Sequence, residues 1–294
     1  MKTNNLILNN YIPKEVLDKK VEKNFSKKIE QVLEKIKIEI KDTNKTLNVL
    51  NKTFNFSFKF KNLEKFKKFK TITLIGMGGS ILGSEAIYAF LESKIKKKIN
   101  FINDLDPEKI KNLKKNTNFK NTLFLVISKS GNTIETLSNF FYLNILKNNA
   151  KNIVVISERK NNYLFNITKK LNLYYIEHKP NIGGRYSVLS EVGMIPAYLM
   201  GLNVYKIREK INQFLTGTSQ SYLKDSSIKL ACLLHSKKFN NLIFLNYSPK
   251  AEKFLFWCQQ LIAESLGKKK RGFLPIISNV PKDHHSLLQL YLDG

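Results

Sequence analysis

The sequence contains few cysteines and no long apolar run. Cys232 and Cys258 are its only cysteines among 294 residues, too few for a disulfide scaffold or a zinc site. Residues 1–10 mix polar and apolar side chains and lack the apolar region of a signal peptide. No stretch approaches the roughly 20 apolar residues that a membrane-spanning helix needs. We therefore expect a protein of the reducing cytoplasm with no membrane partner.

Acidic residues are also scarce. The chain has 23 Asp and Glu against 50 Lys and Arg, a formal net charge of +27. Such an excess is compatible with nucleic-acid binding, but the lysines are scattered along the whole chain and no RNA- or DNA-reading motif accompanies them. We interpret the charge as a solvated, lysine-rich surface and expect no nucleic-acid partner, although a positive field would attract small anions.

From residue 70 onward, short apolar runs alternate with helical patterns. The predicted strands are 71–75, 101–102, 122–127, 153–156 and 173–176, and the predicted helices are 81–91, one starting at Pro107, 133–148 and 161–171. This alternation predicts a parallel sheet covered on both faces. Residues 190–239 are mostly helical in pattern, and a strand at 242–245 with a helix at 251–265 begins a second α/β unit.

The first 69 residues have a different pattern. Val21–Ile40 places apolar residues among charges and predicts an amphipathic helix, whereas Phe54–Phe60 alternates strictly and predicts a half-buried strand or an extended arm. We divide the chain into an N-terminal helical and extended segment (1–69), a first α/β domain (70–180), and linker helices followed by a partial second α/β domain (181–294).

A glycine-rich loop, Gly76–Gly83, follows the first strand of the predicted sheet. Its glycines, Gly79 among them, permit close approach of the backbone to an anion, and Ser80 could donate a hydroxyl. The spacing misses the G-x-G-x-x-G pattern of dinucleotide sites, because Ile81 stands at the third glycine, and it lacks the closing Gly-Lys-Ser/Thr of a Walker loop. The loop alone is a weak indication of an anion site.

A second loop, Ser128–Thr136, directly follows the strand at 122–127. Its hydroxyls and free backbone N–H groups, at the start of a helix, suit a phosphate, although an ordinary loop with Thr133 as the N-cap is the alternative. Loops at the carboxyl ends of neighbouring parallel strands converge. If the two strands are neighbours, Ser80, Ser128, Ser130 and Thr133 would surround one phosphate.

Two further segments carry charged candidates. Arg185 follows a pair of glycines and could stabilise developing negative charge, with a surface arginine in a turn as the alternative. Glu264 ends an apolar helical stripe and could be a general base if it is partly buried. The local pattern alone favours an exposed glutamate followed by a helix end at Gly267.

The segment Asp283–Ser286 contains the adjacent histidines His284 and His285. Either could be an acid or base near neutral pH, and a surface loop histidine is the alternative. Adjacent histidines rarely face the same way, and the chain has no HExxH motif and no cysteine partners for them. We therefore expect no metal site.

Together, these segments resemble the phosphoglucose isomerase (glucose-6-phosphate isomerase) family, in family order over about residues 70–294. Gly76–Gly83 resembles its Gly-Ile-Gly-Gly-Ser-x-Leu-Gly motif, and Ser128–Thr136 resembles the phosphate loop of the sugar-isomerase (SIS) domain. Gly183–Ser190 resembles its Gly-Gly-Arg-Tyr/Phe-Ser signature. Glu264 lies in a Glu-Ser-x-Gly-Lys segment and His285 in an Asp-x-His-Ser segment of the same kind.

The resemblance implies two SIS domains, each a doubly wound, flavodoxin-like parallel sheet. It implies a cofactor-free enzyme of glycolysis and gluconeogenesis that interconverts glucose 6-phosphate and fructose 6-phosphate through a cis-enediol(ate). It also implies a homodimer, because the family's histidine reaches the neighbouring subunit's site.

The resemblance further implies a role for each matching residue. Gly79, Ser80, Ser128, Ser130 and Thr133 would bind the substrate and its phosphate, with Lys129 backing the loop. Glu264 would move the proton between C1 and C2, Gly184 and Arg185 would steady the enediolate, and His285 would assist ring opening.

Two features depart from the family pattern. The family continues beyond Gly294 to a helix with a catalytic lysine, and Ser84 stands where the family has proline. We therefore expect the second SIS domain to be incomplete. The alternatives are another SIS-type isomerase acting on mannose or aminosugar phosphates, a non-catalytic sugar-phosphate sensor, and nucleic-acid binding driven by charge.

We predict low isomerase activity for the isolated 294-residue chain, because the family's lysine-bearing helix is not part of it. A coupled assay of the purified chain with glucose 6-phosphate measures this. Turnover typical of the family would contradict the prediction.

Overall fold

The computed structural model describes residues 11–12, 16–211, 213–217 and 219–294. The strands are β1 (Thr71–Ile75), β2 (Lys98–Ile102), β3 (Thr122–Ile127), β4 (Ile153–Ser157), β5 (Tyr174–Glu177), β6 (Asn241–Asn246) and β7 (Leu274–Asn279). The helices are α1 (Lys19–Lys41), α2 (Leu82–Leu91), α3 (Pro107–Asn116), α4 (Ile134–Tyr142), α5 (Tyr163–Lys170), α6 (Glu191–Leu199), α7 (Val204–Arg208), α8 (Gln213–Thr216), α9 (Gln220–Ser236), α10 (Glu252–Leu266) and α11 (Leu288–Asp293). No helix in the described part of the chain is long and apolar enough to cross a bilayer.

The first sheet has the order β2-β1-β3-β4-β5, and every neighbouring pair is parallel. This is the flavodoxin-like, doubly wound order, so the predicted α/β class is confirmed. The chain changes winding direction between β1 and β3, which are direct neighbours with Ile75 opposite Val126. In such sheets, ligands bind beside the carboxyl ends of the strands at this switch point.

Helices cover both faces of the sheet because its central strands are apolar on both sides. Leu125 points into a core that includes Ile195 of α6, whereas Phe124 points into a second core that includes Phe140 of α4. All four side chains are fully buried. The continuous apolar runs that predict these strands therefore reflect burial on two faces.

The N-terminal helix is confirmed as α1, whereas Phe54–Phe60 forms no strand. The segment is an extended arm whose alternate phenylalanine rings pack on one another, with ring centroids 5.0–5.6 Å apart. Its backbone is held by side chains instead of a neighbouring strand, since Ser57 N donates to the Glu191 carboxylate at 2.8 Å. Ring packing thus replaces the sheet pairing that the alternation predicts.

The predicted helix at 133–148 ends early, at Tyr142. Asn144 adopts a left-handed φ of 56°, which interrupts the helix, and asparagine tolerates this conformation better than most residues. The remaining residues up to 148 form a turn before β4.

The second sheet consists of the parallel pair β6 and β7 within the described residues. The predictions of β6 and α10 are confirmed, but β7 and the short helix α11 were not predicted. Helix α10 lies between this sheet and α2, where Phe254 meets Phe90 edge-on with ring centroids 5.7 Å apart. It therefore links the second sheet to the glycine-rich loop.

Leu125 tests the buried core of the first sheet. We expect Leu125→Ala to lower the free energy of unfolding by about 2–5 kcal/mol, because it leaves a cavity in a fully buried strand. Urea denaturation measures the change. The matched control is Leu292→Ala, whose side chain is 76% exposed, with an expected effect below about 0.5 kcal/mol. Equal effects would contradict this description of the core.

Candidate active site

The glycine-rich loop and the second loop meet where β1 and β3 end. A side-chain carbon on Gly76 would lie 2.9 Å from the carbonyl oxygen of Ile127, the last residue of β3. A residue with a side chain at position 76 would therefore push the glycine-rich loop away from β3. The adjacency of the two strands is confirmed, and with it the expectation that their loops converge.

Three hydroxyl groups cluster in the second loop. Ser128 Oγ lies 2.9 Å from Thr133 Oγ1, and Ser130 Oγ lies 3.4 Å from the same atom. The Gly131 N–H donates to Ser128 Oγ at 3.2 Å. Thr133 occupies the N-cap position of α4, as the alternative predicts, but its side chain makes no capping hydrogen bond. The cluster therefore offers hydroxyls beside a helix N-terminus, where an anion is favoured.

Residues from neighbouring segments hold the second loop in place. Gly131 has a φ of +69°, and a side-chain carbon there would lie 1.9 Å from Asn162 Oδ1, so glycine is required. Lys129 Nζ donates to the Pro180 carbonyl at 2.9 Å and lies 3.5 Å from a carboxylate oxygen of Glu158. Burial raises the pKa of Glu158, but Lys160 and Lys129 outweigh it and lower that pKa. The lysine therefore fixes the loop backbone.

The Gly-Gly-Arg segment packs directly on the glycine-rich loop. A side-chain carbon on Gly79 would lie 2.3 Å from the Gly184 carbonyl oxygen. Ser187 is fully buried, and its Oγ lies within hydrogen-bond distance of the carbonyl oxygens of both Gly79 (3.1 Å) and Gly184 (2.7 Å). These contacts place Arg185, at the start of a 3₁₀ helix over Gly184–Leu189, beside the carboxyl edge of β1.

Arg185 connects this segment to α10. Its Nη1 donates to Glu264 Oε2 at 3.1 Å, and its Nε donates to Ser265 Oγ at 2.9 Å. Its carbonyl oxygen accepts from Trp257 Nε1 at 2.9 Å. The Arg185 side chain is 21% exposed and that of Glu264 is 48% exposed. Glu264 is therefore open to solvent, as the local pattern predicts, and is also paired with a guanidinium.

The phenol of Tyr186 lies next to this pair, 3.1 Å from Ser265 Oγ. Burial raises the pKa of Tyr186, but the hydrogen bonds with Ser265 and Arg185 outweigh it and lower that pKa. These neighbours thus favour the anionic form of the phenol.

Gln260 is a site residue that the sequence analysis missed. Its Nε2 donates to Glu264 Oε1 at 2.9 Å and lies 3.0 Å from where a side-chain carbon on Gly78 would stand. Its Oε1 is buried and has no hydrogen-bond partner within the described chain. Arg185 and Gln260 together engage both oxygens of the Glu264 carboxylate and so fix its plane. The spacing of four residues on one helix was the available signal.

Two predicted residues stand apart from these contacts. Ser80 is partly buried in the glycine-rich loop, and its hydroxyl makes no hydrogen bond to another described residue. His285 is exposed on the 3₁₀ turn Lys282–His285, and no hydrogen bond or ion pair joins it to Arg185 or Glu264 in the described chain. Within the same described ranges, no group of His, Cys, Asp and Glu could hold a metal ion.

The site as a whole combines three chemical functions at one edge of the sheet. It has a hydroxyl-rich helix start that suits a phosphate, a carboxylate with a fixed plane, and a guanidinium beside that carboxylate. A carboxylate can accept a proton, and a guanidinium can stabilise the resulting oxyanion. The arrangement therefore suits proton transfer on a phosphorylated substrate.

Gly79 tests the contact between the two segments. We expect Gly79→Ala to lower the free energy of unfolding by about 1–3 kcal/mol, because its new methyl group meets the Gly184 backbone, which cannot move away easily. Gly184→Ala is the matched control, since a side-chain carbon there has nothing within 4 Å. Urea denaturation of both variants measures the difference. A Gly184→Ala effect as large as that of Gly79→Ala would refute the close contact.

Comparisons with known proteins relate this chain to sugar-phosphate isomerases. Residues 27–272 match the family model of phosphoglucose isomerase. The chain is 35% identical over 242 residues to a glucose-6-phosphate isomerase of Methanocaldococcus jannaschii, which covers 79% of this chain and 60% of that protein. It is 31% identical over 250 residues to the glucose-6-phosphate isomerase of Acholeplasma laidlawii, covering 80% and 59%. The chain thus spans about 60% of the length of these curated relatives.

Solved structures share the fold. A hypothetical protein of Thermus thermophilus superimposes with a TM-score of 0.78 at 23% identity, covering 94% of this chain and 70% of that one. A glucose-6-phosphate isomerase of Chlamydia trachomatis superimposes with a TM-score of 0.58 at 24% identity, covering 78% and 50%. The family model covers most of the chain, and its match includes the glycine-rich loop, Arg185 and Glu264. The chain belongs to the phosphoglucose isomerase family.

Proposed function

We propose that this chain carries the phosphate-binding and proton-transfer groups of a glucose-6-phosphate isomerase, which interconverts glucose 6-phosphate and fructose 6-phosphate. Its curated relatives bear that name. The observation that carries the proposal is the pairing of Arg185 with Glu264, 3.1 Å apart, against the glycine-rich loop at the switch point of the sheet.

The proposed phosphate site is the loop with Ser128, Ser130 and Thr133, together with Gly79 and Ser80 of the glycine-rich loop. The two serine hydroxyls, each within 3.4 Å of Thr133 Oγ1, and the start of α4 without a side-chain cap support this assignment. Binding the unreactive phosphate at this end would orient the sugar, so that its C1 and C2 lie toward the reacting groups. Lys129 would keep the loop in shape without touching the ligand.

Glu264 is the proposed base. In the aldose-to-ketose direction, its carboxylate takes the proton from C2, and the electron pair left behind forms the C1–C2 double bond of the enediolate. The same carboxyl group then returns that proton to C1, while a proton moves from O2 to O1, so the reaction needs no external oxidant. The Arg185 guanidinium and the Gly184 backbone would stabilise the enediolate oxygens. Gln260 supports this role, because it holds the second oxygen of Glu264.

His285 matches a family residue that acts at the neighbouring subunit. We propose that the chain forms a homodimer and that the exposed His285 serves ring opening in the site of the second subunit. The proposed location is the cytoplasm, and the proposed pathways are glycolysis and gluconeogenesis. Its exposure in a single chain and its separation from Arg185 and Glu264 support this arrangement. The division into residues 1–69, 70–180 and 181–294 also remains a proposal.

Proton exchange tests the assignment of Glu264. The chain is incubated with glucose 6-phosphate in deuterated water, and ¹H NMR follows loss of the C2 proton over hours, which detects even slow turnover. We expect Glu264→Gln to reduce the exchange rate by about 10²-fold or more, because the amide cannot accept the proton. Glu252→Gln, the same change at the other end of α10, is the control and should retain the exchange.

Each outcome of this experiment has a defined meaning. Exchange retained in Glu264→Gln would remove Glu264 as the base. No exchange by the unsubstituted chain, combined with binding of 6-phosphogluconate, would contradict the isomerase proposal and favour a sugar-phosphate sensor. If exchange were faster with mannose 6-phosphate or an aminosugar phosphate, that compound would replace glucose 6-phosphate as the proposed substrate.

A further inference from the structure

A lysine-lined groove lies at the opposite edge of the first sheet from the candidate active site. Its walls come from the segments that precede β1, β3 and β4, that is, from the amino ends of these strands. The groove encloses about 820 Å³. Its lysines, which define the lysine groove, are Lys68, Lys70, Lys120, Lys147 and Lys151.

The positive charge of the lysine groove is not compensated. None of the residues that line it is Asp or Glu. All five lysines are exposed, and none of their ammonium groups makes an ion pair or a hydrogen bond with another described residue. Elsewhere, lysines do find partners, as when Lys109 pairs with Asp104 at 3.0 Å and Lys129 contacts Glu158. Lys68 Nζ lies 5.4 Å from the centroid of the Phe69 ring, but no negative charge faces any of the five lysines in the groove, so their charges repel one another and attract anions.

Helix dipoles do not account for these lysines. The helices of a doubly wound sheet end at this edge, and lysines in their last turns favourably meet the partial negative charge there. Lys114 of α3 has that position and donates to the Tyr142 carbonyl at 2.6 Å. In contrast, no lysine of the lysine groove lies in an α-helix. Their charge is therefore available to a ligand.

The floor of the groove is fixed by hydrogen bonds. Asn152 Nδ2 donates to the carbonyl oxygens of Phe119 and Thr122, both at 2.9 Å, and so ties together the starts of β3 and β4. Asn172 Nδ2 donates to Asn149 Oδ1 at 2.7 Å on the next turn. The five lysine side chains therefore project from a backbone that these hydrogen bonds hold in place.

The groove is elongated. A second concavity of about 520 Å³ shares Lys68 and Lys151 with it and continues past Lys65 and Tyr174, again without an acidic residue. Successive parallel strands lie about 4.8 Å apart, so Lys70, Lys120 and Lys151, which precede β1, β3 and β4, are spaced along this edge. A ligand with several anionic groups in a row would meet them in turn.

We propose that the lysine groove binds an extended chain of phosphates, of the inorganic polyphosphate class, by charge attraction. Lysine is a point charge that suits phosphate oxygens without fixing a planar geometry. Phe69 and Phe119 are buried or partly buried, and the Tyr174 ring is occupied by Lys65 Nζ at 4.2 Å and by Phe66 with ring centroids 5.0 Å apart, so the aromatic residues of the groove are poorly placed to stack with bases. A flat membrane surface could not enter the concavity. This site is independent of the proposed isomerase function.

A charge-matched pair of variants tests the proposal. The first carries Lys70→Gln, Lys120→Gln and Lys151→Gln, and the second carries Lys23→Gln, Lys27→Gln and Lys35→Gln on the exposed face of α1. Fluorescence anisotropy with labelled inorganic polyphosphate measures the affinity of each protein at several salt concentrations. We expect the groove variant to bind at least about tenfold more weakly, with a shallower salt dependence, and the α1 variant to change by less than about threefold.

Three results would overturn the proposal. The first is no saturable binding of polyphosphate by the unsubstituted chain. The second is an equal loss in both variants, which would mean that net charge alone attracts the probe. The third is a single-stranded oligonucleotide of equal charge that binds more tightly than polyphosphate and whose affinity falls in the groove variant, which would make the groove a nucleic-acid site. The urea unfolding midpoint serves as the folding control and should be equal in all three proteins.

Discussion

The contact between Gly79 and Gly184 is the constraint on which the candidate active site depends. It exists only because Gly79 has no side chain at the point of contact, and the buried hydroxyl of Ser187 lies between the two carbonyl groups. Through this contact, the segment that carries Arg185 is tied to the loop after β1. The guanidinium then reaches Glu264, and α10 is thereby connected to the loop after β1. A single close approach of two backbones thus couples the glycine-rich loop, the arginine and the carboxylate.

The first sheet presents different chemistry at its two ends. At the carboxyl edge, anion binding would rest on hydroxyls, the start of α4 and one paired arginine, all held in place by neighbours. At the amino edge, it would rest on unpaired lysines with long flexible stems above a fixed floor. The first arrangement suits one phosphate in one orientation, which a reaction requires. The second suits a ligand whose phosphates can exchange places among several positive charges.

Much of the fold could be predicted from the sequence, because strands such as β3 are buried on both faces and read as unbroken apolar runs. Of the two alternatives for Phe54–Phe60, the extended arm is correct and the strand is not, since alternation predicts one buried face but does not say whether a sheet or a row of packed rings covers it. β7 contains Pro275 and has an exposed first residue, so its local pattern is weak. The end of α4 depended on the backbone angle of one asparagine, which composition does not reveal.

The candidate site was less predictable than the fold. Residues on loops after neighbouring strands could be grouped, because parallel strands share an edge, and Ser128, Ser130 and Thr133 do lie together. The role of Glu264 could not be predicted from its own segment, since its partner Arg185 lies 79 positions away in the sequence. Gln260 was overlooked although it lies four residues from Glu264 on the same helix, because its contact with Gly78 forms only when α10 packs on the loop.

A crystal structure of this chain with 6-phosphogluconate tests the central claim most directly. We predict the ligand's phosphate within hydrogen-bond distance of the Ser128, Ser130 and Thr133 hydroxyls, with its carboxylate end beside Arg185 and Glu264. A phosphate bound in the lysine groove alone, or a sugar whose reacting end points away from Glu264, would contradict the account.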